Sequence, residues 1–262
     1  MNRIRPIVVL AALAAAPAHA QSSDADLATN LSNPVASMIS VPFQYNRDHA
    51  FGDARDGHKS TLNIQPVVPT ALSSDWTLIS RVIVPLVDQH IPSLGDGGQS
   101  GIGDITGEFF FVPKSAPGGV IWGIGPAVLV PTHVDFISAG KWALGPTAVA
   151  LNQANGWTVG ALANHLWSVG GSGANEISST FVQPFLSYTT KDAWTYGLNA
   201  ESSYDWNARQ WTVPINATVS KLVRFGQQPV SLGIGARHYA DSPAGGPHGW
   251  GVRLVVTLLF AE

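Results

Sequence analysis

Eight polar side chains stand out in a chain whose strongest pattern is apolar alternation: Arg81, Asp104, Glu108, Glu201, Asp205, Asn216, Arg237 and Arg253. Each falls on the polar side of a stretch whose alternate residues are apolar, so at period two they share one face of an extended chain. Arg81 is expected to face Asp104 and Glu108 on the following strand, and Glu201 and Asp205 to lie two or three strands from Arg237 and Arg253. Charges of both signs on one interior wall can pair and plug it, or they can select what crosses it.

Bond-making chemistry has weaker support. Gly101 to Gly107 (GIGDITG) superficially looks like a dinucleotide fingerprint, yet its third glycine comes one place late and no helix is expected after it. Gly98-Gln99-Ser100-Gly101-Ile102 puts isoleucine where a nucleophile elbow needs glycine. The histidines beyond the leader are His49, His58, His90, His133, His165, His238 and His248. They read as scattered mostly over loops, without an i, i+4 pair or a carboxylate at ligand spacing. No catalytic residue, metal or cofactor is expected, and the protein is not expected to be an enzyme.

What positions the eight polar residues is a series of about twelve strands of the length a tilted membrane strand requires. They are predicted near Met38 to Asn46, Ser60 to Pro69, Asp75 to Leu86, Gly101 to Val112, Gly119 to Pro131 and Gly140 to Leu151. The second half continues near Gly156 to Ser168, Ile177 to Thr190, Ala193 to Trp206, Gln210 to Leu222, Pro229 to Tyr239 and Gly249 to Phe260. Long connections rich in Gly, Asp, Ser and Pro alternate with short joints, with Asn207 to Arg209 short where a long one is due and Val223 to Gln228 somewhat long for a joint. In Gly249 to Phe260, Trp250, Val252, Leu254, Val256, Leu258 and Phe260 make one wholly apolar face, opposite Arg253 and Thr257. The alternation does not orient His165.

The nine tryptophans decide between a packed sandwich and a membrane barrel. Following the chain up and down, Trp76, Trp122, Trp157 and Trp194 collect at the short-turn side, and Trp142, Trp167, Trp206, Trp211 and Trp250 at the long-loop side. Indole prefers the level where hydrocarbon meets headgroup, so two belts near strand ends describe a membrane girdle. The expected fold is all-β: a closed, antiparallel, up-and-down transmembrane barrel with a short N-terminal helical segment.

Composition fits this reading. Residues 1–20 have a basic start at Arg3 and Arg5, an apolar run and Ala18-His19-Ala20, which together read as a secretory signal peptide. Residues 21–35 are expected to form a segment on the periplasmic side or inside the mouth, with Ser23 or Asp24 as helix N-cap, and residues 36–262 the barrel. Beyond the leader, 12 basic residues face 17 acidic ones, which gives no field for nucleic acid. The chain has no cysteine, so neither disulfides nor thiolate metal sites hold it together. Twelve strands at about 4.8 Å spacing and about 40° tilt enclose a lumen of about 10 Å or less once side chains are placed.

Several blocks carry a resemblance: NPVASMISVPFQYN (Asn33 to Asn46), TLNIQPVVP (Thr61 to Pro69), QSGIGDI (Gln99 to Ile105), GALANHLWSVG (Gly160 to Gly170), FVQPFLSYTT (Phe181 to Thr190), QWTVPIN (Gln210 to Asn216) and QPVSLGIGARHYADSP (Gln228 to Pro243). They resemble the bacterial outer-membrane family named for the MetA pathway of phenol degradation, also called transporters, some members of which carry the misleading name neuromedin U. The resemblance spans about Asp26 to Phe260. It implies a Gram-negative outer-membrane barrel and transport of small solutes, aromatic or apolar ones among them, and brings no catalytic residues. Such barrels usually finish on an aromatic residue, whereas here Ala261 and Glu262 follow Phe260.

The expected function is a channel or facilitator, with outer-membrane lipid, a small solute and the barrel-assembly machinery as partners and no assignment of oligomeric state. The competing expectations are a non-conducting barrel, structural or enzymatic, and a secreted β-sandwich binding module.

Overall fold

The computed structural model describes residues 23–94, 97–115 and 117–260; the expected signal peptide and the two residues after Phe260 lie outside them. Twelve barrel strands follow one another: β1 (Ile39–Phe51), β2 (Gly57–Ile64, continuing as Val67–Ala71), β3 (Trp76–His90), β4 (Gln99–Ile102, continuing as Ile105–Pro113), β5 (Val120–Val130) and β6 (Lys141–Ala154). Then come β7 (Trp157–Gly171), β8 (Ser178–Thr189), β9 (Trp194–Ala200, continuing as Ser202–Asp205), β10 (Gln210–Phe225), β11 (Gln228–Asp241) and β12 (Gly249–Phe260). Each pairs antiparallel with its neighbours in the chain. The register from Ile39↔Phe260 to Arg47↔Val252 joins β1 to β12 and closes the barrel. Closure leaves no row of unpaired backbone N–H and C=O groups along an edge.

The connections run from two to six residues at one end of the barrel and from four to ten at the other. One end carries the joints 72–75, 114–119, 155–156, 190–193 and 226–227; the other carries 52–56, 91–98, 131–140, 172–177, 206–209 and 242–248. At the first end Asn155 (φ 52°) and Gly156 (φ 82°) both adopt the left-handed region that a two-residue hairpin turn needs. The joint expected at Val223 to Gln228 is shorter than the sequence suggested. Phe225 pairs with Gln228, and Gly226 at φ 63° turns the chain in two residues.

A second correction concerns the histidines. β1 and β3 run further toward the long loops than expected and β2 begins nearer them, so His49, His58 and His90 lie in strands, as His165 and His238 were expected to; of these seven, only His133 and His248 are in connections.

The faces separate by solvent preference. In β12, Trp250, Val252, Leu254, Val256 and Phe260 are exposed on the outside while Arg253, Thr257 and Leu259 are buried within. The apolar core therefore sits inside the cylinder, toward the short-turn end. There Ser23 caps helix α1 (Asp24–Leu31) in a reciprocal pairing with Asp26. Leu27, Ala28 and Leu31 pack on Ala193, Leu222 and Leu259. Val35, just beyond the helix, packs with Ile79, Phe110, Val149 and Leu162 on the opposite wall. The Asp24 carboxylate meets Arg224 at 2.7 Å, and Gln153 donates to the Thr29 carbonyl at 2.8 Å. The segment spans the mouth from β10 to β6.

Prolines interrupt the ladder where neighbouring strands press closest. Pro126 and Pro146 oppose one another on β5 and β6, and neither can donate a backbone hydrogen bond. The glycine before each proline leaves room for the adjacent strand: a Cβ on Gly145 would stand 1.7 Å from the His165 carbonyl oxygen. Gly145→Val should therefore cost most of the folded barrel, read as loss of the heat-modifiable band on a gel. An unchanged folded fraction would mean that β6 and β7 can part locally.

Candidate functional site

The inward polar residues form a charged layer across the lumen, in two clusters. In the first, Arg81 on β3 donates to Glu108 on β4 at 3.2 Å and to Gln65, in the break of β2, at 2.9 Å. Glu108 is almost fully buried and accepts further hydrogen bonds from Asn164 at 2.9 Å and Thr147 at 3.3 Å. A carboxylate so enclosed needs this many donors to hold its charge away from water.

The second cluster is built on Arg253, which is 2% exposed. Its two terminal nitrogens donate to the two oxygens of Glu201 at 2.8 and 2.7 Å, a fork-on-fork pairing, and its Nε donates to Asn46 at 2.7 Å. Arg237 lies 3.7 Å from Glu201 and 3.5 Å from Asp48, charge contacts rather than well-formed hydrogen bonds. A Cβ on Gly251 would come within 2.7 Å of an Asp48 oxygen, so the glycine makes space for that carboxylate. Asn216, fully buried, donates to Asn199 at 2.8 Å and pairs in register with Arg237.

Two of the expected lining residues do other work. Asp104 accepts from the backbone N–H groups of Thr132 and Ala139 and from the Ser138 hydroxyl, which ties down the 131–140 loop. Asp205 is exposed and accepts from the N–H groups of Asn207 and Ala208, capping the tight turn between β9 and β10. Neither pairs with the arginines. Conversely, Asp48, Asn46, Gln65, Thr147 and Asn164 belong to the layer and were not anticipated.

Between this layer and the N-terminal segment lies a chamber of about 310 Å³. Its wall includes Leu31, Met38 and Phe185 together with Gln65, Arg81 and Arg253. The arrangement can accept a small molecule with an apolar body and a polar or anionic end. Among the described residues no cluster of three or more His, Cys, Asp or Glu is placed to bind a metal.

On the outside, Trp76 and Trp122 meet edge to face at 6.0 Å, and Trp157 and Trp194 are exposed at the same short-turn end. Trp142, Trp167, Trp206, Trp211 and Trp250 are exposed at the other end. The structure also orients His165. It points outward, its ring 4.0 Å from Trp167, with Nδ1 2.7 Å from the Thr180 hydroxyl that also accepts from Trp206 Nε1 at 2.8 Å. Near this rim, in the 172–177 loop, the Lys141 ammonium and the Ser168 hydroxyl hold the Glu176 carboxyl below the usual carboxylate range.

The chain is thus a closed antiparallel barrel of twelve strands, similar to solved outer-membrane barrels. An outer membrane channel from Pseudomonas putida F1 superimposes with a TM-score of 0.65 at 14% identity, covering 85% of this chain and 96% of that one. The NanC porin gives a TM-score of 0.52 at 8% identity, covering 86% of this chain and 100% of that one. At such identities the likeness is one of fold. No protein-family model matches the chain, and no curated protein matches it.

Proposed function

We propose that the protein is an outer-membrane channel or facilitator that passes small solutes, aromatic or apolar ones among them, through the barrel lumen without changing them. The observation that carries the reading is the chamber beside Arg81 and Arg253, enclosed by a barrel whose outer face is apolar between two belts of tryptophan. An outward apolar surface of that extent is what lipid covers and water does not. The two barrels of similar fold, one described as a channel and one as a porin, support the same reading.

Within it, the mixed wall suits a molecule that is apolar over most of its surface, and the arginines and carboxylates set the preference for charge. Purified protein in planar bilayers should conduct, and Arg237→Glu should shift the anion-to-cation permeability ratio toward cations, on the order of twofold or more. Absence of both conductance and solute uptake into vesicles would leave a non-conducting barrel whose charged layer serves only to fill the interior.

A further inference from the structure

The outer surface carries a rank of imidazoles that plays no part in the lumen. Asn46 and Asp48 point inward to Arg253 and Arg237, so Arg47 and His49 on β1 point outward. His49 is paired in register with His58 on β2, and His58 with His90 on β3. The rings of His58 and His90 lie 5.7 Å apart. On the other side, Arg47↔Val252 places His49 beside Trp250, whose ring meets His238 of β11 at 4.7 Å. The rank thus runs His238, Trp250, His49, His58, His90 across five adjacent strands at the long-loop end.

One pair nearer the membrane centre lie Arg47, Ser60 and Asp88, in register with one another, followed by Tyr45, Leu62 and Leu86 where the apolar band begins. The Arg47 guanidinium is held against the surface by donation to the Ser60 hydroxyl at 2.6 Å, and Tyr45 donates to the same oxygen at 3.1 Å.

We propose that this rank docks the phosphorylated headgroup of an outer-leaflet lipid, with Arg47 as the constant cation and His49, His58 and His90 as cations added on acidification. The inference rests on the outer face meeting lipid and not on conduction. Charge and level argue for it. A guanidinium and several imidazoles stand at the height of the interfacial Trp250, where headgroup phosphates lie. The carboxylate facing the patch from β3 is Asp88, which offsets Arg47 at neutral pH; the 52–56 loop above adds Asp53, Arg55 and Asp56, all exposed. His248 reaches the patch through its backbone N–H, 3.2 Å from the His49 carbonyl oxygen. Two guanidiniums against three carboxylates leave the patch slightly negative at neutral pH, so net positive charge appears only once two or more imidazoles gain protons on acidification.

The test titrates detergent-solubilised full barrel with diphosphoryl lipid A and reads bound lipid by native mass spectrometry at about pH 5.5 and about pH 7.5. Binding should be on the order of tenfold tighter at the lower pH. The combined variant His49→Gln, His58→Gln, His90→Gln should lose that difference, and Arg47→Gln should weaken binding at both values. Heat-modifiable migration confirms that each variant is folded. Equal binding of lipid A stripped of its phosphates, full displacement by inorganic phosphate, or an unaltered pH difference in the triple variant would overturn the proposal. Conductance measured in parallel keeps the two readings apart: lipid binding by a barrel that passes no current removes the channel and leaves this site standing.

Discussion

Arg253→Ala should destabilise the barrel by about 3–5 kcal/mol, the cost of leaving a mostly buried carboxylate without its principal partner. Arg253 satisfies both oxygens of Glu201 and the amide oxygen of Asn46. Without it, the nearest cation to Glu201 is Arg237 at 3.7 Å, too far to replace two charge-assisted hydrogen bonds. Glu201→Gln added to Arg253→Ala should recover a large part of the loss, because the neutral amide no longer needs a counter-charge. Urea unfolding in lipid vesicles, followed by tryptophan fluorescence, measures both. A cost under about 1 kcal/mol for the single change would show that lumen water solvates Glu201, as at an exposed pair, and that the layer is open rather than sealed.

This cycle concerns residues that the sequence located unevenly, for physical reasons. Arg81 and Glu108 were legible as a pair because adjacent antiparallel strands bring same-face residues together. Asp104 and Asp205 share the same alternation but stand where strands break or end, and there a carboxylate is drawn to free backbone N–H groups instead of to a guanidinium. Pattern alone does not distinguish the two fates. Asp48 was missed for the opposite reason: the apolar alternation of β1 fades after Asn46, although the strand continues to Phe51 by pairing with β2. The imidazole rank needed registers between strands, which no single segment encodes. The closed twelve-strand barrel itself was legible, since the alternation of each strand and the connections between consecutive strands are written segment by segment.

Removing residues 23–37 should raise single-channel conductance at least severalfold. Among the described residues, that segment joins the wall at its C-terminal side, where it continues into β1. It is held firmly. Ala28 is buried against one wall beside the half-buried Leu27 and Leu31, and Val35 is buried against the other, where a fully buried valine contributes roughly 1.5–3 kcal/mol. The Asp24–Arg224 ion pair and the Gln153 hydrogen bond are weaker anchors, partly open to water. Arg224→Glu, which sets like charges together but leaves the apolar contacts, should therefore give brief openings rather than a lasting one. Should the deletion leave conductance unchanged while the barrel stays folded, the resistance to flow lies higher, in the plane of Arg253, Glu201 and Arg81. Ion selectivity should then follow substitutions in that layer and ignore those in the helix.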